Sequence, residues 1–367
     1  MKDFNCFNLS VIGASHLEKN TVMQDSSSSY MDEKMALAIV SDGHGSKRYF
    51  RSDKGSDLAV KAAEECIKEF ILSVTVDQVL CENNEGIFIQ LEKSIIARWN
   101  SLLHDHYSEN PFTDEELELS GKYREDYLNG FDFVQAYGAT LIAVAVTEEY
   151  WFGLHIGDGI CVAIYEDGNV NEPIPWDEKC HLNVCTSICD KEASNEFRYF
   201  CSEKIPVAVY VGSDGIDDSF GRDYSLEKSE LLYNFYCLIS LTFAKDEFEK
   251  TKDNLKDYLS QLSEMGSRDD VSVAGILNMS GLKASNEWLE IHQEVVKKKR
   301  FIKSLEKDLE KVEQEESEEA KEKSEFLHDS IDTATFEYEV LCEKLDKILK
   351  GSEGTGLCQT ETYENEE

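Results

Sequence analysis

The sequence predicts an α+β layered domain, antiparallel strands covered by helices, followed by a helical appendage. Three observations lead there. Short apolar runs rich in β-branched residues recur through the first 280 residues, with helical periodicity between them but no strict β-α alternation. The runs at 140–147, 150–156 and 160–165 follow one another too closely for crossover helices, so that stretch is antiparallel. Beyond residue 280 the texture changes to a sustained three–four spacing of apolar residues.

Strands are expected at 7–13, 35–41, 140–147, 150–156, 160–165, 206–212 and 271–277. Asp167-Gly168 reads as the next turn of the central meander. Ala59, Ala62, Ala63, Cys66, Ile67, Phe70 and Ile71 fall on one helical face, and Ser52 to Ser56 offer it a cap. Further helices are expected at 84–105, 114–129, 226–244 and 248–262.

In the appendage, Trp288, Ile291, Val295, Ile302, Leu305, Leu309 and Val312 form one apolar seam. After the acidic stretch 313–325, Ile331, Ala334, Tyr338, Leu341, Leu345 and Ile348 form a second. This is one long helix or a helical hairpin. A solitary helix would leave either stripe in water, so it folds back, lies on the preceding domain, or meets a second copy or another protein. The expected organisation is 1–280 for the layered domain, 281–350 for the helices, and 351–367 for a disordered acidic tail.

A formal charge of −37, carried by both the layered domain and the appendage, makes nucleic acid and anionic membranes improbable partners. Residues 1–10 lack a basic start with a long apolar run, and no stretch approaches the roughly 20 apolar residues of a membrane helix, so the cytoplasm is the expected location. The 11 scattered cysteines fit reduced thiols. Cys180, His181, Cys185, Cys189 and Cys201 cluster in sequence but lack paired C-x-x-C knuckles, and read as small buried hydrophobes rather than a zinc site.

Acids recur at strand ends. The run 36–40 leads into Asp42-Gly43-His44-Gly45, 152–156 into Gly157-Asp158-Gly159, and 207–211 into Gly212-Ser213-Asp214-Gly215. In the fourth case Ser267-Arg268-Asp269-Asp270 precedes the strand. Any single Asp-Gly is most simply a turn, and Asp167-Gly168 is read so. The others have glycine or serine inside the apolar strand just before the acid, which lets other groups approach. Several carboxylates close together repel unless cations neutralise them, and hard oxygen ligands favour Mg2+ or Mn2+. Two such ions can clamp a phosphate and activate water, so the spacing points to a two-metal phosphoryl hydrolase.

Six ordered motifs over residues 8–278 resemble the type 2C (PPM) protein phosphatases, bacterial branch. Gly13-Ala14-Ser15-His16 with Gln24-Asp25-Ser26 is similar to the opening motif, Asp42-Gly43-His44-Gly45 to the metal-bridging motif, and Tyr137-Gly138-Ala139-Thr140 to the G-x-T segment. The three later acidic motifs match those at 157–159, 213–215 and 268–270. The resemblance implies two packed antiparallel sheets flanked by helices, and a protein phosphoserine/phosphothreonine phosphatase with two or three Mn2+ or Mg2+ ions. By position it implies that Asp42 bridges both metals with the Gly43 carbonyl on one, and that Asp214 and Asp269 bind the other. Asp25 would order water, Asp158 would contribute to a third ion, and His44 would act as general acid to the leaving oxygen.

This sequence departs from the pattern in three places. Gln24 stands where the common family has glutamate, Asn20 where many members have a phosphate-binding arginine, and Asp270 where asparagine is usual. His16, Lys19 and Arg51 are the candidates for the phosphate. A catalytically weak binding or sensing module acting through the C-terminal helices is the alternative reading.

Overall fold

The computed structural model describes residues 1–129, 133–180, 184–220, 228–315 and 317–351. The expected tail at 351–367 lies outside them apart from Gly351, as does His181.

Among the described residues, ten strands form two antiparallel sheets of five, packed face to face. The first contains β1 (Phe4–Val11), β10 (Val271–Asn278), β9 (Ala208–Gly212), β6 (Ile160–Ile164) and β7 (Val170–Asn171), in that order. The second runs β2 (Ser26–Met31), β3 (Ala36–Ser41), β4 (Leu141–Val146), β5 (Trp151–Ile156) and β8 (Arg198–Ser202). Side chains alternate along each strand, and the central strands are buried on both faces. In β3, Ala36, Ala38 and Val40 join Val144, Val209, Val211 and Ala274 between the sheets, while Leu37 and Ile39 face outward to helices. Small residues on the inner face let the sheets approach closely.

Helices cover both outer faces. Over the second sheet lie α2 (Ser52–Ser73) and α4 (Glu85–Glu109), joined by α3 (Val76–Leu80), with Ile67, Phe88, Trp99 and Phe152 in one cluster. Two short helices, α5 (Asp114–Leu119) and α6 (Arg124–Leu128), separated by a 3-10 turn at Gly121–Tyr123, stand where one helix over 114–129 is expected. Gly121 at φ +58 breaks the helix there. The first sheet is covered by α8 (Lys228–Lys245), α9 (Phe248–Met265), α10 (Met279–Ala284) and α11 (Asn286–Val312). Two more short helices, α1 (Ala14–Lys19) and α7 (Asp214–Asp217), belong to the site described below.

All seven expected strands are present; three more are not legible as apolar runs. In β2 four successive serines replace the apolar alternation, and their hydroxyls are paired instead. Ser27 meets Asn8 and Ser10, and Ser28 donates to Glu64 at 2.6 Å. The central meander also divides differently. β4 and β5 pair, but the chain changes sheet at Gly157-Asp158-Gly159, so β6 and the Asp167-Gly168 turn belong to the other sheet. Ser52 and Ser56 lie inside α2 rather than capping it; Arg51 is its N-cap residue.

The appendage is a hairpin: α11 returns as α12 (Glu318–Gly351). Val312, Ala320 and Leu327 form a small cluster near the turn, which falls within the acidic stretch without glycine or proline. At the other end, Trp288 and Leu289 are buried with Phe243 and Tyr236, and Leu345, Ile348 and Leu349 pack against the same cluster. Both seams are therefore used, one end on the hairpin itself and the other on the layered domain. Trp288→Ala is expected to cost about 3–5 kcal/mol in denaturant melting. Phe336→Ala, 66% exposed on the same hairpin, should stay within about 0.5 kcal/mol. No helix among the described residues is long and apolar enough to cross a membrane.

Candidate functional site

The strand-end acids meet around one cavity of about 560 Å3. Asp42 follows β3, Asp158 sits where the chain crosses between sheets, Asp214 opens α7 directly after β9, and Asp269 precedes β10. All four line the cavity, together with Gly43, His44, His16, Gln24 and Asp270. Asp25 lies behind it, 3% exposed, accepting a hydrogen bond from Ser213 Oγ at 2.8 Å.

Local chemistry sets these positions. Thr140 clamps the Asp42 loop from both sides: its N–H donates to the Asp42 carbonyl (2.8 Å) and its Oγ1 accepts the Asp42 N–H (3.0 Å). The His44 N–H donates to the Gly138 carbonyl (3.1 Å), so the G-x-T segment holds the Asp42-Gly43-His44-Gly45 loop. Gly157 turns the chain at φ +113, and Gly215 comes so close that a Cβ would sit 2.0 Å from the Asp270 carbonyl oxygen. That approach brings Asp214 beside the Asp269-Asp270 pair.

The three departures acquire local explanations. Gln24 Nε2 donates to Ser52 Oγ (2.6 Å) and the His44 carbonyl (3.4 Å), bonds an ionised glutamate could not donate. Asn20 is exposed at φ +57, closing α1 in a conformation that asparagine tolerates. Asp270 is buried, and its oxygens accept the N–H groups of Gly13 (2.6 Å), Gln24 (2.6 Å) and Asp25 (3.4 Å). It ties the opening motif to the last one, so both of its oxygens are already engaged.

Of the three phosphate candidates, only His16 lines the cavity. Lys19 is exposed at the end of α1. Arg51 is engaged elsewhere: its guanidinium grips Glu116 at 2.6 and 2.8 Å and donates to Tyr137 Oη and the carbonyls of Asn110 and Pro111. The sequence pattern did not single out Tyr49, whose ring packs 4.7 Å from that of His44, and it read Cys185, whose thiol donates to Asp158 Oδ1 at 3.1 Å, only as a small buried hydrophobe. Neither belongs to one of the six ordered motifs, so no linear signal tied them to the acids. Among the described residues the cysteine group does not gather into one cluster: Cys189 lies against Ser187 and Cys201 against Asn84.

Electrostatics make this a site under strain without cations. Desolvation holds the Asp42 carboxyl well above the usual range, and Asp214 and Asp25 add to it; Asp42 and Asp214 are close enough to hydrogen-bond. Burial raises Asp214 to about 7, reinforced by Asp158 and partly offset by the bond to Asp42. Burial, then Asp270, raises Asp25 to about 8 against the pull of Ser213 and Ser272. Burial lowers His44 to about 4, opposed by Asp158. Among the described residues lining the cavity none is lysine or arginine. A crowded oxygen donor set lacking a fixed positive charge fits hard divalent cations.

Asp25 and Asp214 rise from an unperturbed 3.8, so each holds a proton in the folded chain that the unfolded chain has released, while the lowered His44 acts in the opposite sense between about pH 4 and 6.5. Above about pH 6.5, where the histidine contribution is spent, stability in chelator should decline as pH rises through the Asp214 and Asp25 values toward pH 8. Thermal melts should show this decline, with Mn2+ raising the melting temperature most near pH 8. A flat profile in chelator would count against a buried carboxylate cluster.

The sequence profile of the protein phosphatase 2C family matches residues 12–260. No curated protein matches the sequence. Solved structures similar to this chain include a bacterial serine phosphatase, 14% identical with a TM-score of 0.45, covering 74% of this chain and 97% of that one. The catalytic domain of the serine/threonine protein phosphatase PstP, in complex with 2 manganese ions, is 13% identical with a TM-score of 0.42, at 74% and 97% coverage. PppA of Pseudomonas aeruginosa is 15% identical with a TM-score of 0.44, at 75% and 97%. On the extent of the profile match, the chain belongs to the protein phosphatase 2C family.

Proposed function

We propose that the chain is a metal-dependent phosphatase that removes phosphoryl groups from phosphoserine and phosphothreonine in proteins. The observation that carries this reading is the convergence of Asp42, Asp158, Asp214 and Asp269 on one cavity whose lining holds no lysine or arginine among the described residues. Asp42 and the Gly43 carbonyl, with Asp214 and Asp269, are the groups to hold two Mn2+ or Mg2+ ions, and Asp158 is the group to help hold a third. Such ions, when bound, activate water and neutralise charge on the phosphoryl group.

The chain's own residues supply the rest. Asp25, fixed by Ser213, orders water behind the cluster. His44, braced by Tyr49, gives a proton to the departing serine or threonine oxygen. Its lowered pKa is compatible with that role because a phosphate dianion beside the ring favours the charged imidazolium. The strong negative charge disfavours nucleic-acid substrates. Phe301, Phe326, Phe336 and Val340, exposed on the α11–α12 hairpin, are the surface for a protein partner or a second copy.

The test is phosphate release from a phosphoserine peptide by the full chain, metal by metal and in chelator. Turnover is expected with Mn2+ or Mg2+ and none with chelator. Undiminished turnover in chelator would remove the metal-dependent reading. Sedimentation of the same preparations reads whether the hairpin joins two copies; a monomer leaves a different protein as its partner.

A further inference from the structure

We propose that His16 is a metal ligand, adding a nitrogen donor through Nε2 to the cation held at Asp269. The proposal rests on the metal-dependent reading of the site above and specifies which cation the site prefers.

His16, Asp269 and Asp270 present ligand atoms that all lie within 4.8 Å of one another. Their roles differ. Asp270 Oδ1 lies 2.9 Å from His16 Nδ1, and the same carboxylate takes three backbone N–H donors. A group that accepts on every side makes Nδ1 the donor, so the hydrogen is on Nδ1 and the Nε2 lone pair is free to bind a cation. A carboxylate holding the far nitrogen is the arrangement that orients metal-ligating histidines and makes them more basic.

Nε2 lies 3.9 Å from Asp269 Oδ1, on a residue that lines the cavity. Adjacent ligands on an octahedral ion with bonds of about 2.1 Å lie about 3 Å apart, so a shared ion requires the exposed Asp269 carboxylate to turn toward Nε2. The ring is also held in place. The Ser15 N–H donates to the Arg268 carbonyl (2.8 Å), the Ala14 N–H to Ser263 Oγ (3.1 Å), and Ser263 Oγ to the Asp269 carbonyl (2.8 Å). Helix α1 is thereby fastened to the backbone of the segment that carries Asp269, which keeps the imidazole beside that residue. As a phosphate donor His16 would need a hydrogen on Nε2, which the bond to Asp270 leaves there only on the imidazolium.

An imidazole ligand changes selectivity. Mg2+ prefers oxygen throughout, whereas Mn2+ and the later transition metals accept nitrogen more readily. The site should therefore prefer Mn2+ over Mg2+ more strongly than an all-oxygen site would.

The test is pulsed electron paramagnetic resonance on the full chain loaded with Mn2+, read for nitrogen coupling, alongside Mn2+ and Mg2+ titrations. Wild type should show the coupling. His16→Asn keeps a donor near the Nδ1 position for Asp270 but lacks Nε2. It should lose the coupling and reduce the Mn2+-over-Mg2+ preference by about tenfold or more, with an unchanged melting temperature in chelator. His44→Ala, which removes the other imidazole among the described residues lining the cavity, should keep the coupling. Absence of coupling in a wild type that turns over with Mn2+ overturns the ligand role alone, as does coupling that follows His44 instead of His16. Failure of the wild type to bind Mn2+ or to turn over with any metal overturns the functional reading together with it.

Discussion

Asp42→Asn is expected to reduce metal-dependent turnover by about three orders of magnitude or more, while leaving the protein at least as stable in chelator. Asp42 lines the cavity beside Asp214, and its carboxyl is pushed well above the ordinary range by desolvation and by Asp214 and Asp25. As a proposed bridging ligand it serves both cations, and losing several kcal/mol of charge stabilisation corresponds to about a thousandfold in rate. Stability should move the other way. Without cations the folded site must either protonate this carboxyl or keep a repelled charge, so its contribution favours folding at low pH and is lost as pH rises. Asparagine carries no charge and can donate to Asp214 as the protonated acid does. Melting near pH 8 in chelator should thus be unchanged or higher, and the increase on adding Mn2+ should largely vanish. A mutant that loses activity and also unfolds in chelator would make Asp42 a structural acid, contrary to the proposal.

His44→Ala should slow phosphoserine-peptide hydrolysis by about 10²–10⁴-fold, the usual worth of a general acid, and affect p-nitrophenyl phosphate far less. A nitrophenolate departs without a proton, whereas a serine alkoxide does not. The main-chain position of His44 is secured by its N–H bond to Gly138, and the side chain contacts the Tyr49 ring. Removing the imidazole should therefore leave the metal ligands in place, and Mn2+ affinity serves as the control. Equal losses on both substrates would assign His44 to ordering water or metal instead of protonating the leaving group.

Much of this arrangement is legible without coordinates, for identifiable reasons. Central strands such as β3 and β4 are buried on both faces, so they appear as unbroken apolar runs. The acids follow those runs directly, because a rigid strand end is where a carboxylate can be both fixed and reachable. Two packed sheets followed from the family resemblance, and the hairpin from the two apolar seams was one of two alternatives. The strands that escaped notice are the polar β2, the two-residue β7 and the half-buried β8. Their pairing is decided by neighbours, such as the Asn8 and Ser10 side chains that satisfy Ser27.

By itself, then, the sequence determined the layered class, the strand-end acids and their order, since burial and turn chemistry are local and leave a periodic trace. Only the tertiary structure decided which of those acids share a cavity, that the chain changes sheet at Asp158, and that Arg51 is held by Glu116 and not left for phosphate. It also decided that Asp270 accepts donors from residues 13, 24 and 25 while orienting His16. These are contacts between residues some 60 to 260 positions apart, and a side chain's partner at that range depends on how whole layers stack, which no linear period records.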